Sequence, residues 1–198
     1  MNAREAAKVG LRSVLQSLTI GGSPAFAAVF AGLPAPGQAE VRPRAAIVCR
    51  DMRFTATRQE NWERDGAWAY MRTHEVIGSL SVLVAASGTI IGETGETQAE
   101  ACVSAIEQAF QEGPADLLDT GTGTHGIAVE VADYPGTRFL YRLESTADAA
   151  LELAERGIAD AVVTVSVRGY AVLRVPVGEI ESIVLGTTIH GRVETRTI

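Results

Sequence analysis

Residues 74–113 read HEVIGSLSVLVAASGTIIGETGETQAEACVSAIEQAFQEG, an alternating apolar segment, a glycine-rich break and then one capped amphipathic helix that stops at Gly113-Pro114. In the first segment Val76, Leu80, Val82 and Val84 fall on one face of an extended chain, with Ser79 and Ser81 on the other. In the second, Thr97 and Glu100 have the T-x-x-E spacing of a capping box, in which each side chain satisfies a free backbone amide of the first turn. Ala99, Cys102, Val103, Ile106, Ala109 and Phe110 then mark a single apolar stripe at helical spacing. Such a stripe must pack on a sheet. Glu100 and Glu107, with Glu96 just before the helix, are expected on its opposite, acidic and solvated face. A strand that feeds a helix covering the same sheet defines an α+β fold.

Upstream of this unit, residues 2–18 space Ala6, Val9, Val14, Leu15 and Leu18 near 3.6 and predict an opening helix that breaks at Gly21-Gly22-Ser23-Pro24. From there to Pro43 the chain is rich in Gly, Pro and Ala. Residues 21–43 are therefore expected to form a long loop or arm, with Pro24, Pro34, Pro36 and Pro43 excluding regular ladders. Phe26, Val29, Phe30 and Leu33 are too apolar for a free linker, and predict that the arm docks on this subunit or on a neighbour. Residues 45–57 read as a strand, and a polar insert at 58–66 leads into a long strand at 68–86. The pair predicts an antiparallel hairpin whose extended tip, residues 58–70, gathers Trp62, Trp68 and Tyr70. Large amphipathic rings of this kind cover core edges or anchor protein interfaces.

Downstream of the helix, an acidic Gly-Thr-rich loop at 116–126 precedes short strands at 127–132 and 138–144 around the turn Asp133-Tyr134-Pro135-Gly136. Residues 145–157 read two ways: Ser145 and Asp148 could cap a short helix ending at Gly157, which is favoured, while Ala150-Leu151-Glu152-Leu153 can also be extended. Residues 161–175, with six valines, are the clearest late strand, and residues 180–198 predict a terminal hairpin around His190-Gly191 within a C-terminal extension, 177–198. The whole reads as one domain over residues 1–198: an antiparallel or mixed sheet with a long hairpin, one main amphipathic helix on it, an N-terminal helix and an extended arm.

Hydrophobic residues make up 46% of the chain and charged residues 21%, which is ordinary folding composition. Arg4, Glu5, Lys8 and Arg12 interrupt the first twenty residues, so no signal-like apolar core is expected, and residues 25–33 fall short of the ~20 apolar residues of a membrane-spanning helix. A soluble protein made in a cytoplasm is the expectation, with no membrane partner. Cys49 and Cys102 then read as small buried hydrophobes, with a disulfide as the alternative. The net charge of −7 is uneven: residues 1–90 carry ten Arg or Lys against seven Asp or Glu, net +3, and residues 91–198 carry seven against seventeen, net −10. An acidic second half repels the phosphate backbone and argues against nucleic-acid binding through it.

Catalytic constellations are not expected. His74, His125 and His190 lie far apart and none is four residues from another, which argues against a helix-face metal site. His74 and Glu75 are adjacent on a strand and so point to opposite faces. Gly121-Thr122-Gly123-Thr124 lacks the lysine and the spacing of a phosphate loop, Ser87-Gly88 lacks the nucleophile-elbow pattern, and Cys102 lies on the buried stripe. No catalytic, cofactor or metal residue is assigned. Sixteen arginines against Lys8 alone leave Arg138, Arg142 and Arg168 as candidates for bidentate pairs with acidic residues of a neighbouring subunit.

The order of elements, with the helix run ACVSAIEQAF at 101–110 and the late strand AVVTVSVRGYAVL at 161–173, resembles the tail terminator or tail-completion (neck) proteins of tailed bacteriophages and gene transfer agents. The resemblance covers residues 3–175 in element order, and the helix and late strand in wording. It implies a non-enzymatic virion protein without cofactor, assembled in the host cytoplasm into a homohexameric ring that caps the tail tube and joins it to the head connector. The implied partners are its own copies, the tail tube protein and the head-tail connector, with the sheath as a further candidate, and DNA passes through without specific binding. The tip at 58–70 and the tail at 177–198 exceed what a minimal terminator needs. Phe26, Phe30, Trp62, Trp68 and Tyr70 are the candidate interface residues, and Glu100 and Glu107 the candidate acidic face toward DNA or a neighbour. Another tail subunit, of tube or neck connector, and a small α+β enzyme or ligand-binding domain are the alternatives.

Overall fold

In chain order the elements are α1 (Ala3–Ser17), β1 (Thr19–Ile20), β2 (Ser23–Pro24), β3 (Ala28–Phe30), a short 3-10 turn (Pro36–Gln38), β4 (Arg44–Arg64), β5 (Ala67–Ala85), β6 (Ile90–Ile91), β7 (Glu96–Thr97), α2 (Gln98–Glu112), β8 (Ile127–Glu130), β9 (Arg138–Asp148), α3 (Leu151–Glu155), β10 (Ala161–Pro176), β11 (Val184–Ile189) and β12 (Arg192–Thr197). The computed structural model describes the backbone of residues 2–64, 67–87, 90–91, 96–112, 126–132, 136–176, 184–189 and 192–197, and the side chains of these ranges apart from 56–72, 90–91, 112 and all after 172. The fold is α+β, as the residue pattern predicts: six strands form one mixed sheet in the order β3-β4-β5-β10-β9-β8.

The sheet's centre is the antiparallel pair β5–β10, flanked by the β4–β5 hairpin and by β9 on the far side of β10. Strand alternation puts Val76, Leu80, Val82 and Val84 of β5 beside Val163, Val165 and Val167 of β10 on one face, and all are buried. Both long helices cover that face. α1 contributes Ala6, Ala7, Leu11 and Leu15, and α2 contributes Cys102, Ile106 and Phe110, to one continuous core. The opposite face carries Ser79, Ser81, Thr164 and Ser166 at its centre, with Ile77 and Tyr170 exposed. At one end of it Ala159 packs on Ala46 and Leu83, and residues around it join Phe30 and Val48.

α1 begins where Asn2 caps it, the Asn2 side chain accepting from the Glu5 amide at 2.9 Å. Its contact with the sheet is fixed by Tyr141, which is fully buried and donates its hydroxyl to the Ala7 carbonyl at 2.7 Å. Gly10 makes room for that hydroxyl, since a Cβ there would collide with it. Gly78 and Gly169 play the same part within the sheet: a Cβ on either would strike the backbone of the adjacent strand, at Asp51 and at Arg138.

Several expectations are corrected. The arm is not a structureless loop: Gly21 and Gly22, both at positive φ, turn β1 back onto β2, and β3 adds a parallel strand to β4 at Ala28↔Arg44 to Phe30↔Ala46. The three residues of β3 lie between Pro24 and Pro34 and keep their amides, so the prolines do not prevent the ladder. Residues 58–64 are no insert, because β4 stays paired with β5 to Arg64↔Ala67. Ser145 and Asp148 do not cap a helix; they are paired in β9 opposite Thr164 and Ala161, and the helix is confined to Leu151–Glu155, with Ala150 giving no side-chain cap. A long ladder outweighs local capping preference there. The terminal hairpin at 180–198 is present as β11–β12, whereas the loop at 116–125 lies outside the described residues.

Gly10→Ala is expected to lower unfolding stability by about 1–3 kcal/mol through overpacking, read by denaturant titration. Combined with Tyr141→Phe, which alone costs about 1 kcal/mol, the total should fall below the sum of the single effects, since the colliding hydroxyl is gone.

Candidate functional site

α2 starts at a capping box. The Thr97 hydroxyl accepts from the Glu100 amide at 3.3 Å, while the Glu100 carboxylate accepts from the Thr97 amide at 2.6 Å and its hydroxyl at 2.8 Å. These hydrogen bonds hold the exposed Glu100 carboxyl below its usual range. Glu107 does not lie on a solvated face as expected. It is half-buried and accepts from the Thr146 hydroxyl of β9 at 2.7 Å. The reason is angular: positions 100, 103 and 107 lie along one side of a helix, so this pair borders the buried stripe instead of opposing it.

Between the start of α2 and the sheet runs a cleft of ≈ 580 Å³, lined from the helix by Thr97, Glu100 and Ser104 and from the sheet by Thr146, Asp148 and Asp160. Three carboxylates line it, together with the hydroxyl residues Ser87, Thr97, Ser104 and Thr146. Two of the carboxylates are already engaged: Glu100 in its cap, and Asp160 by the Ala86 amide at 2.7 Å and the Arg42 guanidinium at 3.8 Å. Asp148 is the exposed carboxylate on the sheet side. The wall is therefore an acceptor surface, suited chemically to a cation or to hydroxyl donors. Among the described residues no three of His, Cys, Asp or Glu gather as metal binding requires.

Behind Asp160 lies a knot of arginines that local sequence did not announce. Arg44, only 2% exposed, donates to the carbonyls of Ala39, Gly157 (2.7 Å) and Ile158 (3.4 Å), and Arg42 donates to those of Ala86 (2.7 Å) and Gly157 (3.2 Å). Burial, and then the charge of Arg42, lower the pKa of Arg44, with Asp160 opposing. The knot joins the arm, the end of β5 and the turn after α3, and so supports one wall of the cleft. Arg42 and Arg44 are legible as charges in the sequence, but Gly157 and Ile158, which complete the knot, lie more than a hundred residues away.

The other expected site residues are placed as follows. Phe26 is not an interface residue, since it is 6% exposed inside this subunit's own core. Phe30 is half-buried on the second cluster with Ala46 and Leu83, because β3 lays the arm against β4. Trp62, Trp68 and Tyr70 have their backbones in the β4–β5 ladder, and their side chains lie outside the described residues. His74 shares a small cavity with Asn2, Arg4 and Phe54 beneath the start of α1, while Glu75 on the other face pairs with Arg168 at 3.9 Å. They do not converge, as strand alternation requires. Arg138 pairs with Glu130 of this subunit at 3.2 Å. His125, His190 and residues 121–124 lie outside the described residues. Both cysteines are free: Cys102 is buried, donates to the Ala25 carbonyl at 3.3 Å and has its thiol pushed up to about 11 by burial, and Cys49 is half-buried.

Beyond the cleft, β4 and β5 continue past the first turn of α1, from Ala56↔His74 to Arg64↔Ala67, with β10 alongside as far as Pro176↔Ala69. The eight steps from Ala56 to Arg64 make a ribbon of about 26 Å at ~3.3 Å per residue. The sequence matches no family model and no curated protein.

Two outcomes check this description. Cys102 should resist a thiol reagent at pH 8 until the protein unfolds, because a buried thiol titrating near 11 holds almost no thiolate there. Glu100→Ala should lower the melting temperature at pH 7, and the deficit should shrink as pH falls below about 4.5, where a carboxylate with a depressed native pKa loses its contribution.

Proposed function

We propose that this chain is a structural subunit of a phage-type tail or neck, acting as the terminator ring that caps the tail tube and joins it to the head connector. The observation that supports this reading most is the ribbon of β4, β5 and β10, which runs on past α1 and carries Trp62, Trp68 and Tyr70 in its sequence. A hairpin ribbon of this length favours a role in contact with other chains, since an isolated two-stranded hairpin is marginal in water and gains from further packing. In this role the subunit works through surfaces, in a homohexamer contacting tube, connector and sheath, and the acidic second half keeps DNA from adhering as it passes. The protein is then located in the virion and assembled in the host cytoplasm.

The acceptor-lined cleft favours a second reading, a ligand-binding α+β domain that takes a cation or a polyhydroxylated molecule. Negative-stain imaging with sedimentation of the purified protein separates the two. Closed rings, or binding at tube ends, support the first; a monomer whose melting temperature rises with a small ligand supports the second and sinks the first. Trp62→Ala with Trp68→Ala is expected to weaken ring assembly at least tenfold in midpoint concentration while shifting the melting temperature by less than about 3 °C. A large loss of stability with intact assembly would assign these rings to the subunit's own core.

A further inference from the structure

The face of the sheet away from the helices is polar at its centre and changes character toward the ribbon. Register sets three side chains of that face in one row across adjacent strands: Arg53 of β4 lies opposite Ile77 of β5, and Ile77 opposite Arg168 of β10. All three are exposed, Ile77 at 48%, and Tyr170, 50% exposed, stands one row on, opposite Glu75. Glu75 reaches Arg168 only at 3.9 Å, and the Arg168 side chain stays 74% exposed. A tyrosine and two arginines around an isoleucine have the composition of an interface anchor. The sign of the two arginines is opposite to that of the whole chain, whose net charge is −7.

On the other side of the sheet, α2 carries a row of the opposite sign. Glu100, Val103 and Glu107 lie along one side of the helix, Glu100 exposed and the other two partly so. Glu100 holds the cap at Thr97 and Glu107 takes the Thr146 hydroxyl, each through one carboxylate oxygen, so the second oxygen of each can accept from another donor. The spacings agree. Neighbouring strands stand ~4.8 Å apart, so Ile77 lies about 4.8 Å and Arg168 about 9.6 Å from Arg53 along the row. At ~1.5 Å per residue, Val103 lies about 4.5 Å and Glu107 about 10.5 Å from Glu100 along the helix. From this match we infer that α2 of one copy of this chain lies across the row of Arg53, Ile77 and Arg168 in a second copy, with Val103 on Ile77, a glutamate on each arginine and Tyr170 closing the flank. The occupant is a second copy because α2 packs on the core face and the row lies on the opposite face of the same sheet, so no subunit can bring its own two surfaces together. Ion pairs at an exposed surface contribute little alone, and the apolar pair between them has to supply the rest. Two different surfaces in contact are head-to-tail, the arrangement that closes into rings. This inference rests on the ring reading and names the bond between ring subunits.

The test uses the full chain, with light scattering after size exclusion for mass and thermal unfolding for the fold. Arg53→Glu with Arg168→Glu should raise the midpoint concentration of assembly about tenfold or more, since like charges then meet across the contact. Glu100→Lys with Glu107→Lys should do the same, with some loss of melting temperature because the cap and the Thr146 bond go with it. An equal mixture of the two variant proteins should assemble again, because in an alternating ring every contact is either the wild-type pair or its charge-reversed copy. Ile77→Asp leaves the cap and the core intact, and should weaken assembly about tenfold while moving the melting temperature by less than about 4 °C. Assembly at the wild-type midpoint in either double variant or in Ile77→Asp overturns the contact, and so does a mixture of folded variants that fails to recover. If the α2 variant does not unfold cooperatively, the arginine variant and Ile77→Asp decide alone. Rings that persist unchanged in these proteins leave the ring reading standing without this contact; charge-dependent association that never closes leaves the contact standing without the ring. A wild-type chain that stays monomeric at about 1 mM ends both.

Discussion

The pairing of β5 with β10, from Ala161↔Val84 to Pro176↔Ala69, is the contact on which the rest of this molecule depends. It joins segments about ninety residues apart and creates a strip of valine and leucine that neither strand could bury alone. Once that strip exists, each helix has one place to go. α1 crosses it where Gly10 admits the Tyr141 hydroxyl, and α2 buries its Cys102, Ile106 and Phe110 in the same core. The other face keeps its row of serine and threonine, and one layer of helices suffices.

The same pairing decides where the surfaces of functional interest fall. It stretches β4, β5 and β10 outward together, making the ribbon at one end. At the other end it brings Asp148 and Asp160 under the start of α2, making the cleft. Arg42 and Arg44 then lock that end, because four carbonyls, of Ala39 in the arm, Ala86 just past β5 and Gly157 and Ile158 in the turn after α3, find their donors in two guanidinium groups. A buried arginine so fully satisfied specifies one arrangement of three chain segments, and its removal would leave those carbonyls without partners. The acidic charge of the second half is thus partly spent inside the subunit, on caps and arginines, and partly presented at the β9 edge.

Much of this was legible before any coordinates. Opening helix, long hairpin, capped helix and valine-rich strand all follow from periodicity and from the T-x-x-E signature at Thr97 and Glu100, which are local. The arm was misread because three hydrogen-bonding residues between prolines are enough for a parallel strand, and only the position of β4 makes them one. Residues 145–148 were misread because capping preference is worth about 1 kcal/mol, less than a ladder of four paired residues with its packing. Glu107 was placed in solvent by treating a helix as two-sided, when a glutamate seven residues from Glu100 lies at the border of the stripe and reaches Thr146.

Periodicity and capping are properties of neighbouring residues, so the residue order alone determined the opening helix, the long hairpin, the capped helix and the valine-rich strand with their apolar faces, and the uneven charge of the two halves. Pairing and proximity are properties of residues far apart. Tertiary structure therefore decided that Phe26 belongs to the core, that Asp160 faces Arg42, and that Glu107 reaches Thr146 of β9. The physical reason is range: a side chain's rotation about its own strand or helix is fixed within a few residues, whereas its neighbour in space depends on a register set across the whole sheet.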